Sequence, residues 1–271
     1  MTPSRIRTVV NQTPWWLVAV GALIAWLLAK ASSDGLYREI LGVVSQGITV
    51  TVFVALVAFA AATLLGLVVA LGLMSRHLVA RQAARFYCEV IRGVPMLVLL
   101  FYIAFVAAPG LVVAVNAVIG WLHPGADAPA FEARDFSLMW RAILALVLSY
   151  SSFIAEIFRA GFQSVPTGQL DAARSLGMTP PQVFRHVTFP RGLRTILPAL
   201  GNDFVSMVKD SALVSVLGVA DITQMAKVYA SGSFTFFETY NVVALVYLVM
   251  TLALSLALRG LEQRLRAHER R

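Results

Sequence analysis

The chain has 271 residues, of which 59% are hydrophobic and 13% charged. Soluble domains carry about 25% charged residues, so a water-facing globular enzyme is excluded, and intrinsic disorder is excluded by the high hydrophobicity. The formal charge of +8 reads as the lysine and arginine excess of a membrane protein's cytoplasmic loops, not as a nucleic-acid footprint, since no basic-domain motif accompanies it.

One membrane-spanning helix takes about 20 apolar residues, and six apolar segments follow one another: 15–29, 47–74, 94–122, 138–158, 195–219 and 240–258. Their continuous apolar character, without the alternation of a barrel strand, predicts an all-α polytopic membrane protein with about six transmembrane helices and no β-sheet. In the first segment Trp15, Trp16 and Trp26 read as interface anchors. In the second, Ala58, Ala62, Gly66 and Ala70 recur every four residues, a small-residue stripe that permits close helix contact. The third is interrupted by Pro109-Gly110, so a helix is expected to about Ala108, followed by a kink or an interfacial segment.

The segments 1–14, 75–92, 159–194 and 259–271 hold 16 basic and four acidic residues; 30–45, 121–141 and 221–238 hold five basic and seven acidic. This asymmetry predicts cytoplasmic termini and a large cytoplasmic loop, 160–194, between the fourth and fifth spans. No cleavable signal peptide is expected, because the first apolar run lacks a small-residue cleavage site. A single cysteine, Cys88, excludes an internal disulfide and reads as a packing residue.

Catalytic motifs are absent from the sequence. It contains no G-x-x-x-x-G-K-[ST], no H-E-x-x-H and no G-x-S-x-G. His77, His123, His186 and His268 are scattered. No catalytic residue, metal site or cofactor is expected on this chain, which points to a transport component and away from an enzyme.

The loop carries specific local physics. Gly168 to Leu176 contains good helix formers, and Gly177 sits where a helix stops in a left-handed residue. Thr179-Pro180-Pro181-Gln182 then reads as a capping-box start, and Pro190 is expected to end the second helix. Ala172 and Ala173 are small enough to admit another surface, whereas Leu176, Met178, Val183, Phe184 and Val187 need cover. Either a docking partner or the membrane interface would supply it.

At these residues the sequence resembles the inner-membrane permeases of ATP-binding-cassette importers. Their signature is E-A-A, three residues, G, nine residues, I-x-L-P. Here Asp171-Ala172-Ala173 is followed after three residues by Gly177, and after nine more by Val187-Thr188-Phe189-Pro190. Asp replaces Glu, Val replaces Ile and Phe replaces Leu. The polar amino acid branch (histidine, glutamine and glutamate type) is resembled by Tyr150 with Ala155-Glu156-Ile157 and Arg159, and by Gly168-Gln169. Glu89-x-x-Arg92-Gly93-Val94-Pro95, Lys209-Asp210-Ser211 and 213–219 belong to the same likeness. Opine permeases share this branch.

The resemblance implies a five-helix type I transmembrane domain over 45–260. Before it stand an amino-terminal tail, an extra helix and an outer loop over 1–44; a basic tail over 261–271 follows. It implies that the loop docks on a separate ATPase subunit, that ATP and magnesium bind that partner, and that a bacterial inner membrane is the location. A two-fold ATPase dimer implies a second permease chain, identical or homologous, and the family implies an extracytoplasmic solute-binding protein.

Charged groups at membrane depth are costly, about 2.5–3.5 kcal/mol each when they face lipid at a helix centre. Lys209 and Asp210, placed about mid-span, must therefore face protein or water. Asn202, Ser206 and Lys209 share one face with Leu213; Asp203, Ser206 and Asp210 share the next; Ser149, Ser152 and Glu156 form a stripe on the fourth span. These stripes fit either a path for a zwitterionic solute or a polar network joining helices. Glu156 and Arg159, three apart, read as a structural pair. The expectation is a permease subunit of an ATP-driven importer of polar amino acids or opines. An ion-driven secondary transporter, or a scaffold or sensor, is the alternative.

Overall fold

The computed structural model describes residues 15–122, 132 and 135–267. Among the described residues the regular elements are all helices, joined by short turns, with no strand. In chain order the helices are α1 (Trp15–Ser33), α2 (Gly35–Gln46), α3 (Ile48–Leu73), α4 (Leu78–Gly93), α5 (Met96–Leu122) and α6 (Leu138–Gln163). Then come α7 (Thr167–Ser175), α8 (180–210), a 3-10 turn (Ser211–Leu217), α9 (Ile222–Ser233) and α10 (Phe236–Ala267). The sequence-derived features on residues 1–14, on most of 121–137, including His123 and Arg134, and on 268–271 lie outside the described residues.

Four helical runs are long and apolar enough to cross a membrane: Gly35–Leu73, Met96–Leu122, Leu138–Gln163 and Phe236–Leu261. The apolar α1 is shorter, and α8 carries Arg191, Arg194, Asp203, Lys209 and Asp210. Counted together they make the six helices expected. Besides the loop helix α7, three helices had no counterpart among the apolar segments: α2, which runs on into the span α3, the amphipathic α4, too polar to read as a span, and the short α9.

Two prolines behave differently from the sequence expectation, for one reason. A proline at position i offers no N–H and strikes the carbonyl at i−4. Just before Pro109 and just before Pro190 the helix widens to a π turn, Ile103–Ala107 and Phe184–Thr188. Ala108 N–H bonds to Ile103 O, and Phe189 N–H to Phe184 O, each five residues back. The wider turn accommodates the ring. So α5 continues through a π turn to Leu122 where a kink or an interfacial segment was expected after about Ala108, and Pro190 lies in the first turn of Phe189–Asp210 instead of ending the loop helix. A single run therefore covers 180–210, about 46 Å at 1.5 Å per residue.

α6 is the hub, buried along most of its length, with α3 and α8 packed on it. Ala58, Ala62, Gly66 and Ala70 are all buried. A Cβ at Gly66 would stand 2.7 Å from Ile154 Cγ2 and 3.0 Å from the Ser151 carbonyl, so this face of α3 lies directly on α6. At the other end of α6, Gly161 crosses Gly192 of α8. A Cβ at Gly161 would collide with Ile196 Cγ1, and one at Gly192 would fall 3.1 Å from Gly161 O. Within a bilayer such contact, not hydrophobic transfer, supplies the cohesion between helices.

A second core joins α1, α2, α9 and α10 through Leu27, Tyr37, Ile40, Val44, Ile222 and Val242. Asp34 starts α2, its carboxylate accepting from Leu36 N–H at 3.0 Å, and folds α1 back on α2. Trp26 meets Tyr37 edge-on at 6.0 Å. The two cores meet where Gly47 abuts the Asp221 backbone and Ile222 N–H donates to Thr51 Oγ1 at 3.2 Å. Asp221, outside the spans, is fully buried, and that burial pushes its carboxyl above the ordinary aspartate value.

Candidate functional site

Between α4, α5, α6 and α8 lies a cleft of about 430 Å³. Val94, Pro95 and Met96 at the α4–α5 junction form one wall. α6 contributes Ser149, Tyr150 and Phe153, and α8 contributes Asp203, Ser206 and Asp210. The three-and-four spacing of Asp203, Ser206 and Asp210 aims all three at one side of α8. Of the expected path residues, Ser149, Asp203, Ser206 and Asp210 thus come together. Ser152 is fully buried behind them, its hydroxyl donating to Ser149 O at 2.7 Å. Asn202 and Lys209 lie on an exposed face of α8 and do not line the cleft. Nor is the Lys209–Asp210 pair central in its helix, since α8 ends at Asp210 and the 3-10 turn begins at Ser211.

Two polar cleft residues were quoted in family motifs but not proposed as path residues: Tyr150 and Arg92. Tyr150 donates its hydroxyl to Asp210 Oδ2 at 2.7 Å, tying α6 to the last turn of α8. Arg92, at the end of α4, donates to Ser152 O, lies 3.9 Å from Glu156 Oε1 and stacks over Phe153 with its guanidinium carbon 5.5 Å from the ring centroid. Its Nε is buried without a hydrogen-bond partner in the chain, and so is Asp203 Oδ2. Their detectable signal was position. Arg92 sits just before a membrane entry, and Tyr150 lies next to the Ser149 stripe.

Glu156 and Arg159 form the expected ion pair. Arg159 also donates to Gln163 Oε1 at 2.7 Å, and Arg92 joins the carboxylate from α4. Nearby on α4, Tyr87 bridges to Ser151 Oγ at 2.6 Å and to Leu148 O at 3.0 Å. Cys88 is buried, as a packing residue should be, and burial pushes its thiol above the ordinary cysteine value.

The loop is two helices around a glycine turn. α7 holds Gly168, Gln169, Asp171, Ala172 and Ala173, with only Ala173 fully buried. Gly177 has φ +79°, its N–H bonding to Arg174 O at 2.9 Å while Met178 N–H bonds to Ala173 O at 3.2 Å. That pair of bonds is a Schellman stop, which needs a left-handed residue. Gln182 Oε1 then accepts from Thr179 N–H at 2.8 Å, starting the next helix. Val183 is buried and Val187 half-buried, but Leu176 stands 83% exposed at the tip. Phe189 closes an aromatic cluster with Phe162 and Phe184, and Pro190 follows it on the exposed side. Through that cluster and the Gly161–Gly192 crossing, the loop is fixed to the feet of α6 and α8.

Residues 62–267 match the family model described as the binding-protein-dependent transport system inner membrane component. The chain belongs to this family of importer permeases. The permease is 36% identical over 211 residues to the "Probable amino-acid permease protein YxeN" of Bacillus subtilis, covering 78% of this chain and 86% of that one. It is 34% identical over 223 residues to the histidine/lysine/arginine/ornithine transport system permease protein HisQ of Salmonella typhimurium, covering 82% and 93%. A crystal structure of an amino acid ABC transporter with histidines aligns with 36% identity and a TM-score of 0.69, covering 84% of the permease and 96% of that chain. The inward-facing MetNI methionine transporter, 18% identical with a TM-score of 0.63 over 83% and 97%, shares the fold.

Proposed function

We propose that this permease forms half of the path of an ATP-driven importer for amino acids, and that its cleft receives the solute's zwitterionic end. One observation carries the reading. Arg92 Nε and Asp203 Oδ2, of opposite charge, are both buried at one cleft and both lack a partner in the chain. An unpaired buried polar atom is expensive. A carboxylate at Arg92 and an ammonium at Asp203 would satisfy both, with Ser149 and Ser206 adding hydroxyls. Opines, which retain a carboxylate and an amine, fit the same charge pair. The names of the similar permeases support an amino acid substrate.

Coupling follows from the shape of the chain. The exposed Leu176, the small Ala172 and the Schellman stop at Gly177 present a docking knob to a separate ATPase, which binds ATP and magnesium. α8 begins within three residues of that stop and ends at Asp210 in the cleft, so movement at the loop reaches Asp203, Ser206 and Asp210 along one helix. Closing of the ATPase dimer shifts two such helices, one in each permease chain, and opens the path alternately to either side. A solute-binding protein supplies the outer face. Both termini are cytoplasmic, residues 45–260 form the transport domain, and 1–44 is an accessory segment.

The test is uptake in vesicles containing the assembled complex. Asp203→Asn and Arg92→Gln are each expected to lower solute uptake at least about tenfold, equivalent to 1.4 kcal/mol, while the ATPase still co-purifies. Unchanged uptake in both variants refutes the zwitterion site.

A further inference from the structure

The π turn in α5 leaves a specific debt. Ala108 N–H reaches back five residues to Ile103 O. The next residue in that register is Pro109, which has no N–H to give Ala104 O. Ala104 is fully buried, and Ile103 and Ala108 beside it are nearly so, so water cannot make up the bond. Instead Arg141, near the start of α6 and 8% exposed, donates from Nη1 to Ala104 O at 2.8 Å. Its Nε donates to Phe136 O at 2.7 Å, just before α6.

The second π turn supplies the contrast. There Pro190 leaves Arg185 O in the same position, but Phe184, Arg185 and His186 are exposed at the loop, where a carbonyl can be served by water without a side chain. The buried member of the pair has the arginine.

The turn also divides α5 into unlike halves. Met96 at its start lines the cleft, and Leu99 and Leu100 are buried against the core. Beyond Ala108 every described side chain of α5 is exposed or half-exposed, Val113 at 69% and Trp121 at 81%. The joint therefore sets how the exposed half leaves the buried one, and Leu111, Val112 and Val115 on it face Asp135 and Phe136 just before α6.

We propose that Arg141 is a positioning residue that pins this joint by supplying the donor Pro109 lacks, and so aims the outer half of α5 relative to the cleft-lining inner half. A guanidinium suits the task because it can serve Ala104 O and Phe136 O at once from a rigid fork; the single ammonium of lysine cannot span both in that geometry. Its bearing on transport rests on the reading of the cleft given above; the joint itself does not.

The experiment is a double-mutant cycle on the full chain purified in detergent, read by melting temperature and by the spin-label distance between Val118 on α5 and Met139 on α6. Arg141→Met is expected to lower the melting temperature by roughly 5–10 °C and to broaden or shift the distance. Pro109→Ala restores an N–H, so Pro109→Ala with Arg141→Met should recover both readings, a recovery that general loss of packing at position 141 would not give. Arg141→Lys should fall between wild type and Arg141→Met. An Arg141→Met protein with wild-type melting and distance, or a double variant no better than Arg141→Met, overturns the proposal. Neither reading involves solute or ATP, so a failed cleft would leave this result standing.

Discussion

The Tyr150 hydroxyl donates to Asp210 Oδ2 across 2.7 Å and joins the middle of α6 to the final turn of α8. Tyr150 is buried, and Asp210 is half-buried where α8 tightens into a 3-10 turn. One bond thus links the hub helix to the end of the helix whose other end begins at the loop. Tyr150→Phe keeps the ring and removes the donor, leaving the carboxylate short of a partner at a cost of about 1–3 kcal/mol. The expected outcome is intact assembly with slower solute uptake per ATP hydrolysed. Vesicle uptake and hydrolysis measured side by side check it.

Gly177 has a left-handed backbone with open space around it. The obstacle to a side chain there is conformation, about 1–2 kcal/mol for an ordinary residue and more for a β-branched one. Gly177→Val should insert normally in the membrane yet bind the ATPase weakly, or hydrolyse ATP without moving solute. Asp171→Lys should act in the same direction but more mildly, since it also breaks the exposed pair with Arg174, 3.1 Å away. Co-purification of the ATPase is the measure.

Gly161 presents the opposite problem, ordinary conformation and no room. A valine there drives its Cβ into Ile196 Cγ1, and overpacking of this kind costs about 1–3 kcal/mol. Gly161→Val should separate the feet of α6 and α8, lower the melting temperature of the chain and loosen the aromatic cluster under the loop. Gly168→Val, on the open surface of α7, should leave the melting temperature nearly unchanged. Thermal unfolding of the two variants in one detergent compares them.

Introduced cysteines test the orientation. Labels at Lys227 and Arg134 should react from outside, and those at Arg81, Gln182 and Gln263 only from inside. The native Cys88 gives a low background, because it is 4% exposed and its raised thiol pKa keeps it protonated near neutral pH. Any residual Cys88 labelling should rise with pH as the thiolate forms. Outside labelling at Gln182 contradicts the topology.

What could be read from the residues was set by local rules. The four-residue spacing of Ala58, Ala62, Gly66 and Ala70 named a contact face, and the Gly177 and Gln182 positions named a stop and a start, because each depends on a few neighbours in sequence. The reading of Pro190 failed because a widened turn can absorb a proline, and nothing in the five preceding residues announces one. Arg92 escaped because its meaning depends on Asp203, brought beside the same cleft only by the packing of α4 and α8. Asn202 and Asp203 are adjacent and equally polar; only the rotation of α8 about its axis separates the exposed one from the cleft-facing one.

The most direct test of the central claim, that the cleft carries amino acids under ATP drive, is uptake of a labelled amino acid mixture. The vesicles should contain the permease, its ATPase and the binding protein, with ionophores present to abolish every ion gradient. The predicted result is accumulation that requires ATP on the loop side, persists with the ionophores, and is lost in Asp203→Asn while the complex remains assembled. Uptake that collapses with the ionophores despite ample ATP, or that proceeds without ATP, contradicts it.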